Sequence, residues 1–589
     1  MADIHVVDAS GDLSLPRCPY GPKCYRRNVQ HFREYSHPAG HERAAEVQSG
    51  VAEDDEAPKR TADDVVAVDD EKETTEPPAK RTRKSFRKSE ELPSTSAAAT
   101  DLPRPNFDGK TESMEMLNPL GTYFTRTKGL DPNYNDRRWT RSMKMLLAPE
   151  MGNLQSSVQF NYCFDIPWIV DQYPEEFRSK PLMIVHGDKA SSADGQALRQ
   201  EASLFPNITL VYADLPIAYG THHTKMMLLS YDVGMRVVIH TSNLLAGDWH
   251  NKTQGMWISP LLPKGTSADS ITGFQNSLVH YLKCYHNAKL NAVADALNKY
   301  DMSSVKVFLI PSVPGRHMGP DKTRYGHLRL RTILQEHAAL SAKKVTPEWP
   351  LIGQFSSIGS IGPTSANWLT GEFLESLSMP AAPMTRRPPL NLIFPSVENV
   401  RMSSEGWNGG GSLPHSEANY QKQPYLYKLF HVWKSDGKGR TSAMPHIKTY
   451  ARIRPDLSEC AWLAMTSANM SKAAWGAYEK NSSQLMIRSY ELGVLFLPSM
   501  FSSNAASFKI AEDFDTMSEA VESNQLAIML PYDLPLVEYA PTDRPWTSDN
   551  PQTGLKDIFG RYRERRSNFA YKVPVLWWKD SEVLNKLMH

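Results

Sequence analysis

Two short units in this 589-residue chain place residues that can do chemistry side by side. Each is a histidine and a lysine separated by one residue: His223 with Lys225, and His446 with Lys448. On an extended strand, residues i and i+2 point to the same face, so each histidine projects beside its lysine. An asparagine follows each unit, Asn243 at 18 residues after Lys225 and Asn469 at 21 residues after Lys448. Lysine supplies a compact positive charge with three donors, and asparagine supplies neutral donors. Together they suit the non-bridging oxygens of a phosphoryl group as phosphorus becomes five-coordinate.

Two such half-sites facing one another put a histidine on each side of one phosphorus. One imidazole attacks while the other protonates the leaving oxygen. Both roles are open to histidine because its unperturbed pKa lies near 6.5. This chemistry needs no metal ligand set and no catalytic cofactor.

The two units sit inside an internal repeat. The first copy runs from Thr221-His222-His223-Thr224-Lys225 through a turn at Asp232-Val233-Gly234 to Thr241-Ser242-Asn243. The second runs from Pro445-His446-Ile447-Lys448 through a loop at Arg454-Pro455-Asp456 to Thr466-Ser467-Ala468-Asn469. Each copy reads as a strand opening with His-x-Lys, a turn, and a second strand ending at the asparagine, which returns it to the starting point. Apolar runs at 182–185, 305–310 and 390–394 read as buried strands, and 277–297 as helical. The pattern predicts an α/β protein with sheets covered on both faces.

Charge and cysteine usage set the surroundings. Lys and Arg number 66 and Asp and Glu 65, so net charge singles out no partner. No apolar run approaches the roughly 18 residues that span a bilayer. The start, Met-Ala-Asp-Ile-His, has no apolar signal stretch, so an intracellular, reducing compartment is expected. Of five cysteines, Cys163, Cys284 and Cys460 stand apart and read as reduced core residues. Cys18 and Cys24 instead precede His31 and His37 within 20 residues. Two thiolates and two imidazoles fit a closed tetrahedral Zn2+ site, which so short a segment needs in order to fold. Residues 41–109 are poor in aromatics and predict a disordered linker. Its basic run from Pro77 to Lys88 reads as a nuclear-localisation signal or a nucleic-acid patch rather than a merely solvated tail, so the nucleus, and also the cytoplasm, is the expected location. A second basic stretch, 561–566 around Tyr562, reads as an extra DNA contact or a solvated helix face.

The text around the two units resembles the phospholipase D superfamily, and within it the tyrosyl-DNA phosphodiesterase family. The resemblance runs through residues 219–227, 241–255, 443–450, 466–475 and 484–496, and covers most of 110–550. The superfamily places an Asp four residues beyond the lysine plus one; Ser230 and Ile453 stand there. That departure marks the tyrosyl-DNA branch and counts against a lipid-acting enzyme.

The resemblance implies two pseudo-twofold-related phospholipase-D-like αβα sandwich halves, at 110–310 and 311–589. It implies hydrolysis of the 3′-phosphotyrosyl bond between DNA, single- or double-stranded, and stalled topoisomerase I, together with other 3′ blocking groups. His223 would be the nucleophile, His446 the acid and then the base. Lys225, Asn243, Lys448 and Asn469 would hold phosphate oxygens, with Glu491 behind His223 and Gln254 behind His446. Ser357, Ser360 and Ser471 would contact DNA phosphates. Tyr162, Gly411 and Pro414 would face the peptide side. Tyr219 reads either as a base-stacking ring or as a core aromatic. Residues 1–40 resemble a poly(ADP-ribose)-binding zinc finger, in which Tyr20, Tyr25 and Arg26 would contact adenine and phosphate; poly(ADP-ribosyl)ated repair proteins would then be partners. A monomer is expected, with no membrane contact. The rivals are a lipid phosphodiesterase, which calls for the two Asp residues and a membrane-binding element, and an inert poly(ADP-ribose)-binding adaptor, which calls for damage to one half-site.

Overall fold

The computed structural model describes residues 118–378 and 386–563. Two nine-stranded sheets organise them. Along the first, seven strands follow in the order Thr122–Thr125, Gly255–Ile258, Gly234–His240, Met226–Tyr231, Leu154–Phe160, Leu182–His186 and Ile208–Tyr212. Along the second the order is Phe308–Ser312, Glu491–Phe496, Glu459–Thr466, Thr449–Ile453, Leu351–Gln354, Leu390–Ile393 and Phe430–His431. The pairing sense matches step for step. The first four contacts are antiparallel and the last two parallel in each sheet. The repeat seen as two motifs in the sequence is thus a repeat of the whole sheet.

The strands form where β-branched and aliphatic residues run together, as in Val237-Val238-Ile239, and strand Gly234–His240 is buried along its whole length. One layer of apolar side chains, including Ile166, Ile169, Leu198 and Trp249, covers the outer face of the first sheet. The larger core on its other face is continuous with that of the second sheet. Buried Arg440 fastens the two halves. Its guanidinium donates to Thr127 Oγ1 at 3.1 Å and to the Thr125 carbonyl at 2.9 Å.

Three local expectations change. The stretch 277–297 is two helices, Phe274–Lys283 and Ala288–Leu297. His286 breaks it with φ 49°, and the Asn287 side chain caps the second helix by accepting from the Lys289 and Leu290 amides. Cys284 is half-buried rather than a core residue and meets Tyr325 Oη at 3.3 Å, while Cys163 and Cys460 are buried. The described part of the second basic stretch, Tyr562–Arg563, is a strand of a hairpin, not a helix face. Among the described residues no helix is long and apolar enough to cross a membrane. The expected finger, with Cys18, Tyr20, Cys24, Tyr25, Arg26, His31 and His37, and the expected linker lie outside the described residues.

Candidate active site

The His-x-Lys units are not inside ladder strands. The strands begin just after them, at Met226 and Thr449. The reason is that their backbone pairs with the opposite half. The His223 amide donates to the Tyr490 carbonyl at 2.9 Å, and the His446 amide donates to the Thr253 carbonyl at 2.9 Å. His222 bridges Tyr490, and Pro445 bridges Thr253. Each histidine is therefore held by the residue just before the other half's key side chain, Glu491 or Gln254.

Those side chains occupy equivalent positions at the head of equivalent strands. The His223 Nδ1–H donates to Glu491 Oε2 at 2.8 Å, with Ser467 Oγ donating to the same oxygen at 2.5 Å. Across the pseudo-twofold, Thr241 Oγ1 donates to Gln254 Oε1 at 2.8 Å, and the Gln254 amide lies 3.0–3.2 Å from His446 Nδ1. Burial disfavours charge on Glu491. The His223 ring, the Ser467 hydrogen bond and Lys225 outweigh it and hold the carboxyl below its usual range. His223 is lowered by burial, with Glu491 opposing and Lys225 and Lys448 reinforcing. His446 is pushed well below the ordinary imidazole range by burial, then by Lys448, Lys225 and His223. Both histidines thus feel the charge of both motif lysines.

Lys225 and Lys448 are fully buried. Lys225 Nζ donates to the His223 carbonyl at 3.1 Å, and Lys448 Nζ to the His446 carbonyl. Neither ammonium is ion-paired with a carboxylate among the described residues. Burial pushes Lys225 down to about 8 and Lys448 further. Two buried lysines without a direct ion pair, opposed only by the more distant charges of Glu491 and Asp248, favour an anion beside them. Asn469 is pre-set for it: its Oδ1 accepts from the Ser356 and Ser357 amides at 3.1 and 3.0 Å, which turns the NH2 outward. Asn243 Oδ1 has no hydrogen-bond partner among the described residues.

A histidine backed by a carboxylate, an opposed imidazole, and buried lysines beside them form a constellation that suits chemistry at a phosphodiester. A tyrosyl-DNA phosphodiesterase family profile matches residues 122–540, most of the chain. The chain belongs to the tyrosyl-DNA phosphodiesterase family. Tyrosyl-DNA phosphodiesterase 1 of Drosophila melanogaster is 33% identical over 597 aligned positions, covering 91% of this chain and 99% of that protein. The Arabidopsis thaliana protein of the same name is 36% identical over 452 positions, covering 70% and 72%. The crystal structure of the yeast tyrosyl-DNA phosphodiesterase shares the fold at 20% identity, with TM-score 0.53 over 72% of this chain and 99% of that one. Residues 15–40 match a CCHH zinc-finger profile described as a PBZ domain. This member of the family is therefore a phosphodiesterase that carries an N-terminal finger of the PBZ type.

The flanking residues group around the site of this family member in two sets. Ser357 to Ser360 are stitched to Met470: the Gly359 amide donates to the Met470 carbonyl at 3.0 Å and the Met470 amide to the Ser357 carbonyl at 3.3 Å, while Ser471 Oγ caps the next helix by accepting from the Ala474 amide at 3.1 Å. Ser357 Oγ donates to the Pro414 carbonyl at 2.6 Å, which links this ridge to the segment holding Gly411. Tyr162 lies against the first His-x-Lys unit, its ring 5.6 Å from the His223 ring and 5.9 Å from Lys225 Nζ. Tyr219 is 60% exposed, which removes the core-aromatic reading.

Sequence reasoning missed Asp248. Its buried carboxylate lies 3.4 Å from His446 Nδ1, accepts from the Asn243 amide at 2.8 Å, and takes Gln254 Nε2 at 3.3 Å. Burial raises its pKa, against the pull of the Asn243 amide and Lys252. Comparing the two copies could have found it: five residues past Asn243 stands Asp248, and five past Asn469 stands Ala474. Among the described residues, no group of three or more His, Cys, Asp or Glu is placed to hold a metal ion.

Proposed function

We propose that this chain hydrolyses 3′-phosphotyrosyl bonds between DNA and stalled topoisomerase I, and related 3′ blocking groups, through a phosphohistidine on His223. The observation that carries this reading is the reciprocal support of the two histidines: a carboxylate on one, an amide on the other. With its Nδ1–H donated to Glu491, His223 presents the Nε2 lone pair. That nitrogen bonds to phosphorus as the phosphorus–tyrosyl oxygen bond breaks, and His446 gives its proton to the leaving oxygen. His446 then takes a proton from water, whose oxygen displaces His223 and leaves a 3′-phosphate. Lys225, Lys448, Asn243 and Asn469 hold the non-bridging oxygens. Ser357, Ser360 and Ser471 receive the DNA backbone, Tyr219 a base, and Tyr162, Gly411 and Pro414 the peptide.

The donor chemistry of Cys18, Cys24, His31 and His37 suits structural zinc, and Tyr20, Tyr25 and Arg26 suit poly(ADP-ribose). A finger on a tether would keep the enzyme near marked DNA breaks in the nucleus by raising its local concentration.

The test is cleavage of a 3′-phosphotyrosyl oligonucleotide by the full chain in the presence of chelator. Activity persists if the histidines suffice and disappears if a metal acts at phosphorus. His446→Ala should accumulate a DNA adduct on His223, and His223→Ala should form none. An adduct in the second variant but not in the first would reverse the two roles.

A further inference from the structure

The segment Gln552–Lys556 pairs with Tyr562–Arg563 to form a hairpin that none of the catalytic chemistry uses. Its one carboxylate, Asp557, has a side chain with no exposure. Asp557 Oδ1 accepts from the Phe559 and Arg561 amides, both at 2.9 Å. Its Oδ2 accepts from the Arg561 guanidinium at 2.9 Å and from the Trp407 amide at 3.2 Å. The acid therefore ties the turn to itself and to the segment beneath, and no negative charge faces outward from the hairpin.

What does face outward is aromatic and cationic, with the aliphatic Leu555 and Ile558 exposed beside the rings. Phe559 is 56% and Tyr562 52% exposed. The Arg561 guanidinium sits 4.5 Å over the Phe559 ring, and Lys556 Nζ 5.3 Å over the Tyr562 ring. Lys556 has no ion-pair partner among the described residues. Large exposed rings are unfavourable in water unless something covers them. Here each comes with a cation, and the platform is already rigid: Trp407 Nε1 donates to the Arg561 carbonyl at 2.8 Å, and Arg401 to the Lys556 carbonyl at 2.8 Å.

We infer that this hairpin binds single-stranded nucleic acid, with bases stacking on Phe559 and Tyr562 and phosphates meeting Lys556, while Arg561 stays paired with Asp557 and backs the Phe559 ring. Rings with interleaved cations, and no outward acid, are what such strands bind without sequence preference. Its position names the strand. The hairpin rests on the turn Gly406–Ser412, whose Gly409 carbonyl accepts from Lys252 Nζ at 3.1 Å, two residues from Gln254. That turn leads to Gly411 and Pro414 on the leaving-group side. Resting on the proposed function for this last step, the strand is the complement where it runs on past the blocked 3′ end.

The experiment compares two duplex substrates with the same 3′-phosphotyrosyl strand. In one the complement stops flush; in the other it continues for about 10 thymidines, within the roughly 4–16 nucleotides such platforms cover. The full chain should cleave the extended substrate with kcat/KM about tenfold higher, the worth of one stacked base. Phe559→Ala with Tyr562→Ala should bring the extended substrate down to the flush value and leave the flush value unchanged. Phe559→Tyr with Tyr562→Phe should keep the preference. Lys556→Gln should reduce the salt dependence of the extended substrate alone, by about one unit of logarithmic slope. An alanine double variant that keeps the preference, or that loses activity equally on both substrates, overturns the inference. So does a loss that follows the length of the linked peptide and not the overhang, which would make the hairpin a protein-binding surface. If the unaltered chain fails to cleave even the flush substrate, the proposed function fails and the hairpin is not at issue.

Discussion

The first half carries an amide, Gln254, where the second carries a carboxylate, Glu491, at the same step of the same strand order. The hydroxyl and the histidine that each side chain meets are matched. A hydroxyl two residues before each asparagine, Thr241 or Ser467, donates to the side chain, which in turn faces the other half's histidine. The difference divides labour between identical rings. A carboxylate fixes one tautomer and leaves one nitrogen free, which suits a nucleophile. An amide can accept from an imidazole N–H or donate to a bare nitrogen, which suits a group that must hold a proton in one step and lack it in the next. Asp248, which has no counterpart in the second half, adds a carboxylate to the amide's side.

The largest way to break the comparison is Glu491→Gln, which makes the two positions alike. The nucleophile then loses its fixed tautomer and the carboxylate that opposes the effect of burial. Adduct formation on His223 should slow by about 10²–10⁴-fold, the range for losing an orienting carboxylate or a general acid–base group. Rapid-quench measurement of the burst checks this. A burst of normal rate would show that Glu491 only fills space.

Next in size is the converse change, Gln254→Glu. A carboxylate about 3 Å from His446 favours the imidazolium, so the pKa of this ring rises, by about 1–3 units. The first step needs that ring protonated, so the alkaline limb of kcat/KM should move to higher pH. The second step needs it neutral, so the adduct should build up at neutral pH where the unaltered chain shows little. An unmoved limb with no adduct would mean that the amide's neutrality is not what the site uses.

Asp248→Asn sharpens the comparison further. It keeps the volume and an oxygen that can accept from Gln254 Nε2 and the Asn243 amide, but makes that acceptor neutral. Loss of the negative charge should shift the alkaline limb downward, opposite to Gln254→Glu, and lower kcat by about tenfold, near the worth of one hydrogen bond to a charged group. Equal loss in kcat and in thermal stability, with no movement of the limb, would reduce Asp248 to a structural residue.

How much of this the chain discloses unaided differs by residue. The His-x-Lys units were legible because two copies in one context are improbable as decoration, and the residues themselves determine the charge chemistry. Their place beside the strands was not, because the deciding hydrogen bonds, from His223 to Tyr490 and from His446 to Thr253, join segments about 190–270 residues apart that no periodicity connects. Glu491 and Gln254 were assigned through resemblance alone, since an isolated Glu or Gln has no spacing signal. Asp248 escaped because the repeat was read for what its copies share, and Asp248 is where they differ. The hairpin at 552–563 escaped for a local reason: its fold depends on Asp557 reaching the Trp407 amide, a contact across 150 positions.

Tyr219 gives the smallest expected effect and the finest test of whether the first half's entrance is shaped for DNA. Its φ is 63°, a left-handed conformation that costs a non-glycine residue about 1–2 kcal/mol. The cause is its neighbour: a Cβ on Gly220 would stand 2.1 Å from the Arg488 carbonyl, so the chain must turn sharply against the second half. Glycine would suit position 219 too, yet an exposed tyrosine stands there. Tyr219→Gly should therefore be no less stable than the unaltered chain, and up to about 1 kcal/mol more so after the entropy of the added glycine is counted. Its kcat/KM on phosphotyrosyl DNA should nonetheless fall about fivefold, the low end of losing one stacked base. On a substrate whose terminal sugars lack bases the fall should vanish. If the fall persists there, the ring shapes the loop and does not read the nucleic acid; if stability drops instead, the strained backbone is held by packing of the ring itself.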